Sequence, residues 1–132
     1  MPQSHQLTGL QIDVLRALWE RGEATIIEVW EALRPKRRLA QTTVATILAR
    51  LEKRGVLAHR VEGRQYVYRA TVSERDVRRS MVAELTESLF EGRPADLISH
   101  LLSSREIAPG DLERVKELIE EKERAHGRRR GR

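Results

Sequence analysis

The sequence predicts a mainly α-helical protein with one small β-hairpin, and three observations predict it. Apolar residues recur at helical spacing in six segments. Capping signatures precede three of them, at Thr8, Thr25 and Ser73. One stretch, "VLAHRVEGRQYVYRAT", changes to a period of two around Gly63. A chain of 132 residues suffices for one compact domain, or for two small ones sharing a modest core.

Each element has its own local cause. Thr8 with Gln11 forms a capping box, and Ile12, Leu15, Leu18 and Trp19 follow on one face until Gly22 stops the helix. Thr25 with Glu28 opens a second, short helix that faces Val29, Trp30 and Leu33 inward. It ends near Arg34, ahead of Pro35. After the basic linker "PKRRL", a third helix runs from about Gln41 to Gly55. In the hairpin, Leu57, His59 and Val61 alternate with Ala58 and Arg60, and Tyr66 and Tyr68 share a face that packs over the helices. Ser73 and Asp76 start a fourth helix, broken by Gly92 and Pro94. A short helix around Leu97, Ile98, Leu101 and Leu102 follows, and the last starts at about Pro109 or Asp111.

Three helices followed by a hairpin are the outline of a winged helix-turn-helix. The expected organisation is a winged DNA-binding domain over residues 1–72, a helical dimerisation region over 73–125 and a basic, disordered tail over 126–132. Charge follows the same division. Residues 1–72 hold 12 Lys/Arg against 7 Asp/Glu, residues 73–125 hold 9 against 13, and the tail "HGRRRGR" adds four Arg. A basic first half suits a polyanion and an acidic second segment suits protein.

Other classes are disfavoured. The chain has no Cys, so it has no disulfide, thiolate metal site or cysteine nucleophile. His5, His59, His100 and His126 lack ligand-like spacing, and neither metal nor cofactor is expected. No apolar run approaches a membrane span and no signal-peptide pattern opens the chain, so a cytoplasmic location is expected. There is no glycine-rich phosphate loop and no credible Ser/His/Asp set. Glu28 and Glu31 suit capping and solvent faces, and Asp13 is expected to be solvated.

The third helix carries the functional signal. Val44, Ile47, Leu48 and Leu51 form its core stripe. Opposite lie Thr42, Thr46, Ala49 and Lys53, with Ala45 and Arg50 at the margins and Glu52 as the only acid. Short side chains permit close approach, Thr bonds phosphates or base edges, and Arg and Lys supply charge. Taken alone, such a face also suits an ordinary amphipathic helix; two short helices before it and a hairpin after it favour a recognition helix in a major groove. Lys36, Arg37 and Arg38 of the linker, with Arg60 and Arg64 beside the hairpin bend, are expected at backbone phosphates. The competing reading is a winged-helix module that binds protein or structured RNA.

The later helices carry more apolar surface than so small a segment can cover. Val77, Met81, Leu85 and Leu89, then Leu97 and Leu101, then Leu112, Val115, Leu118 and Ile119 are expected to meet a second copy of the chain, in preference to packing back onto the winged domain of the same chain. A two-fold dimer would set two recognition helices on a palindrome of duplex DNA.

The stretches "LTGLQIDVLRALWERGEATIIEVWEAL", "TTVATILARLEKRGVLAHRVEGRQYVY" and "LFEGRPADLISHLL" together resemble the penicillinase-repressor family of bacterial regulators (BlaI/MecI/CopY type), from Leu7 to about Glu121. Trp19 occupies the family's Trp position. Thr43, Val44, Thr46, Ile47, Leu48, Arg50, Leu51 and Arg54 match its second motif. The resemblance implies a homodimeric transcriptional repressor on a palindromic operator, with Thr43, Thr46 and Arg50 at operator-contacting positions. Thr42 and Ala45 stand where some relatives have basic residues. It also implies derepression by a membrane-bound sensor protease that cuts the dimerisation region at an Asn-Phe pair, where this chain has His100-Leu101. The copper-responsive branch senses through carboxyl-terminal cysteines, which are absent here.

Overall fold

The structure, a computed structural model, describes residues 6–104 and 107–130. The chain divides into two units, Met1–Glu84 and Leu85–Arg132. The first holds α1 (Gly9–Arg21), β1 (Ala24–Thr25), α2 (Ile26–Leu33), α3 (Gln41–Lys53), β2 (Leu57–Glu62) and β3 (Gln65–Ala70), and it ends within α4 (Glu74–Phe90).

Local signals set the helix starts. Thr8 and Thr25 both form complete capping boxes, with Gln11 and Glu28 as their partners. Gly22 closes α1 at φ +81°, and its N–H bonds the Leu18 carbonyl at 2.7 Å. In the hairpin, Glu62 pairs with Gln65 across a two-residue loop. Gly63 stands first in that loop with φ +63°, the positive angle that a tight hairpin loop demands there.

The wing is a three-stranded antiparallel sheet in the order β1-β3-β2, where the sequence suggested two strands. Ala24 pairs with Tyr68 and Thr25 with Val67. A two-residue strand has no periodicity to detect, and Thr25 also serves as the N-cap of α2. The wing is thereby tied to the start of α2.

The core of this unit draws on every element. Val14 and Leu15 of α1, Val29 of α2, and Val44, Leu48 and Leu51 of α3 are fully buried. Leu57 and Tyr68 close the core from the sheet. Burial raises the Tyr68 hydroxyl pKa, and the nearby Glu52 carboxylate adds to the effect. The Trp19 indole donates to the Val72 carbonyl at 2.9 Å, fastening α1 to the approach of α4. Ser73 then caps α4 by accepting from the Asp76 N–H at 3.0 Å. Val77 is buried in this core and Met81 packs against it, so two residues expected at a dimer interface serve the winged unit instead. The division between units consequently falls inside α4 rather than ahead of it.

The second unit contains the end of α4, α5 (Pro94–Ser103) and α6 (Pro109–Arg130). α4 closes on Glu91 and Gly92, both at positive φ, and Pro94 opens α5. Thr86 is its only buried residue among those described. α6 runs through 126–130, where disorder was expected. Ion pairs such as Arg114–Glu117 (3.1 Å) support it, and Arg128 in the last turn suits the negative end of the helix dipole. Residues 131 and 132 of that tail lie outside the described residues. Among the described residues no helix is long and apolar enough to cross a membrane.

Leu48 sits at the centre of the α3 packing with no exposed surface. Leu48→Ala should lower the unfolding free energy by about 2–5 kcal/mol in urea titrations monitored by circular dichroism.

Candidate nucleic-acid interface

α3 is held at both ends. Ahead of it, the Trp30 indole donates to the Leu39 carbonyl at 2.6 Å, fixing the linker against α2. Behind it, the Thr71 hydroxyl donates to the Gly55 carbonyl at 2.6 Å. Arg54 reaches back to the Gln6 carbonyl at 2.8 Å. With Val44, Leu48 and Leu51 turned into the core, the opposite face must meet solvent.

That face is the one the sequence indicated. Thr42, Thr43, Thr46, Ala49, Arg50 and Lys53 are all exposed, and Ala45 is half-buried. The Thr46 hydroxyl donates to the Thr42 carbonyl at 3.0 Å, which leaves its lone pairs and methyl for an outside partner. Glu52 is the one acid of the helix, and His59 of β2 engages it at 2.7 Å. The His59 ring in turn stacks on Tyr66, centroids 4.1 Å apart and planes 10° apart. This tie joins the last turn of α3 to the wing.

The cations sort into two groups. Arg37, expected at a phosphate, instead bonds Asp13 at 2.9 Å, and Asp13 also takes Arg16 at 3.1 Å. Asp13 is thus an anchor for the linker and not a solvated surface group. Its carboxyl lies below the ordinary range, chiefly through the Arg37 hydrogen bond. Arg60, also expected at a phosphate, is clamped between Glu23 (2.9 Å) and Glu62 (2.8 Å). The bond from Arg60 lowers the Glu23 pKa, and the two carboxylates raise that of Arg60. In contrast, Arg38, Arg50, Lys53 and Arg64 are exposed and have no carboxylate partner among the described residues, and Lys36 is exposed with only a longer-range attraction to Asp13. Arg64 lies in the wing's turn, where it lines a cleft of about 410 Å³ with Ile26, Ile27, Gln41 and Tyr66. Sequence inspection missed Asp13, Glu23 and His59 because their partners are 24, 37 and 7 residues away. The only legible trace was an isolated acid on α3.

The described residues contain no group of three or more His, Asp or Glu able to hold a metal ion. What they do present is a helix with a short polar outer face, uncommitted cations around it and a wing beside it. Fold and surface together define a winged helix-turn-helix DNA-binding protein. The chain matches the penicillinase repressor family over residues 7–121, and it belongs to that family. It is a DNA-binding transcriptional repressor of the BlaI/MecI type. The transcriptional regulator BlaI of Mycobacterium tuberculosis is 31% identical over 132 residues, covering 98% of this chain and 94% of the relative. The penicillinase repressor of Bacillus licheniformis is 22% identical, over 92% and 94%. The solution structure of the DNA-binding domain of the repressor BlaI aligns with a TM-score of 0.50 at 30% identity, over 58% of this chain and 93% of that one. The monomeric form of the Bacillus licheniformis BlaI in complex with the blaP half-operator aligns equally well.

The Asp13–Arg37 pair sets a pH dependence. A depressed folded pKa stabilises the protein while the carboxylate is ionised, and the gain is lost as pH falls through the folded value. Asp13→Asn should therefore cost about 1 kcal/mol at pH 7, and the gap to wild type should close below the ordinary value of 3.8. Urea unfolding at pH 7 and at acid pH checks both halves of this expectation.

Proposed function

We propose that the protein represses transcription as a homodimer on a palindromic operator, with α3 in the major groove. The observation that carries this reading is the outer face of α3, exposed, short-chained and with its one acid engaged by His59. Thr42, Thr43, Thr46, Ala49 and Arg50 face base edges, while Lys53, Lys36, Arg38 and Arg64 meet phosphates. Arg37 and Arg60 join only if the complex breaks their internal pairs, so their share is the smallest.

The second unit supports dimerisation because none of its described apolar residues is buried. Leu85, Leu89, Leu101, Leu112, Leu118 and Ile119 are exposed, with Leu89 at 68%. Leu97 and Val115 are half-buried. Covering such a surface with a second copy would bring two winged units to one operator, and bivalency would raise affinity. Derepression by a membrane-bound sensor protease is the further part of this proposal. Its expected site, His100-Leu101, is exposed but lies within α5, so cutting requires that helix to open locally.

The deciding experiment is gel-shift titration with the DNA upstream of the protein's own gene against unrelated duplex, across a salt series. Retention of one fragment at physiological salt, with a shift that fits two chains, supports the repressor. Equal, salt-labile binding to both fragments removes it, and a preference for structured RNA would favour the competing module reading. Arg50→Ala should weaken specific binding by about 1–3 kcal/mol while barely changing non-specific binding. Leu89→Asp should yield monomers in sedimentation experiments and lower operator affinity, with the thermal stability of the winged unit unchanged.

A further inference from the structure

Trp30, Arg34, Arg38 and Leu39 line a surface cleft of about 540 Å³ where α2 gives way to the linker. The Trp30 ring is fixed there by its N–H bond to the Leu39 carbonyl at 2.6 Å. The Arg34 guanidinium lies over that ring, 4.8 Å from its centroid. A guanidinium that stacks by its face keeps its in-plane N–H groups for other partners. Neither the Arg34 nor the Arg38 side chain has a hydrogen bond or ion pair among the described residues. This differs sharply from Arg37, between them in sequence, which Asp13 holds.

We propose that this cleft is a phosphate clamp for the DNA backbone, in which Arg34, presented by Trp30, and Arg38 grip one phosphodiester. The inference rests on the reading that α3 enters a groove, and it adds a site that groove contacts alone do not supply. Three features carry it. The two cations are uncommitted, whereas Arg37 between them and Arg60 of the wing are each held by acids. Stacking on an immobilised indole restricts the Arg34 side chain beforehand, so less conformational entropy is lost on binding. Leu39 lies two residues before Gln41, the first residue of α3, so a phosphate in the cleft neighbours the base pairs faced by Thr42 and Thr43. The cleft beside the wing contains a single arginine, Arg64, so it lacks a pair of guanidinium groups. The occupant is a phosphate within a polyanion: two exposed guanidinium groups hold a free anion weakly, whereas a duplex adds counterion release.

The test measures binding constants against salt for wild type, Arg34→Ala, Arg34→Lys and Trp30→Phe, on the upstream fragment and on unrelated duplex. Arg34→Ala should weaken both duplexes by the same factor, about 5–10-fold near physiological salt, and reduce the slope of log affinity against log salt by about 1. Arg34→Lys should keep the slope and lose part of the affinity, because the charge remains and the planar stack does not. Trp30→Phe, which loses the bond to Leu39, should fall between wild type and Arg34→Ala. Unchanged affinity and slope in Arg34→Ala, with wild type binding normally, overturns the clamp and leaves the groove reading intact. A loss confined to one sequence overturns it in favour of a base contact. Failure of wild type to bind either duplex overturns the groove reading and the clamp with it. Inorganic phosphate, titrated against the NMR signal of the Trp30 indole N–H, should produce no saturable shift in the micromolar range. Saturation there would make the cleft a free-anion site and overturn the DNA assignment.

Discussion

The burial of one face of α3 is the constraint on which the rest depends. Val44, Leu48 and Leu51 have no exposed surface, and Leu15, Val29 and Leu57 of neighbouring elements share their core. Once that stripe is inside, the rotation of the helix is settled and Thr42, Thr46, Ala49 and Lys53 must point out. The hydrogen bonds around α3 then refine its ends. Trp30 holds the linker ahead of it, while Thr71 and Arg54 hold the turn after it. The outer face of α3 needs such support, because a helix free to roll by half a turn would exchange its polar face for its apolar one.

Electrostatics decides which parts of that surface are available. The first half of the chain is basic, but its charge is unevenly usable. Asp13 takes Arg37, and Glu23 with Glu62 takes Arg60, whereas Arg34, Arg38, Arg50, Lys53 and Arg64 have no carboxylate partner among the described residues. The acids thus have a second role besides stability: they remove some cations from competition and concentrate the free charge around α3, the linker and the tip of the wing. Glu52, the one acid of α3, is held by His59, whose ring stacks on Tyr66. The wing and α3 are joined by the same contact.

The two units handle apolar surface differently. The winged unit closes its own core and takes Val77 and Met81 from α4 to do so. The second unit has no buried apolar residue among those described and leaves Leu89 mostly exposed. A repeating apolar stripe reads the same along its whole length, but only the first turns of α4 complete a core, while Leu85 and Leu89 remain exposed.

Much was legible from sequence because the responsible signals are local. Capping boxes at Thr8 and Thr25, the stop at Gly22, the alternation about Gly63 and the α3 stripe act within a few residues, so spacing alone located three helices, the hairpin and the outer face of α3. The family pattern, carried by the same stretches, was legible as well. Tertiary structure alone decided the third strand at Ala24–Thr25, the engagement of Arg37 and Arg60, and the allegiance of Val77 and Met81. Each of these depends on a partner brought near by folding, such as Asp13 from 24 residues away or Glu23 from 37. Periodicity states which way a side chain faces along its own element; only packing states what it meets there.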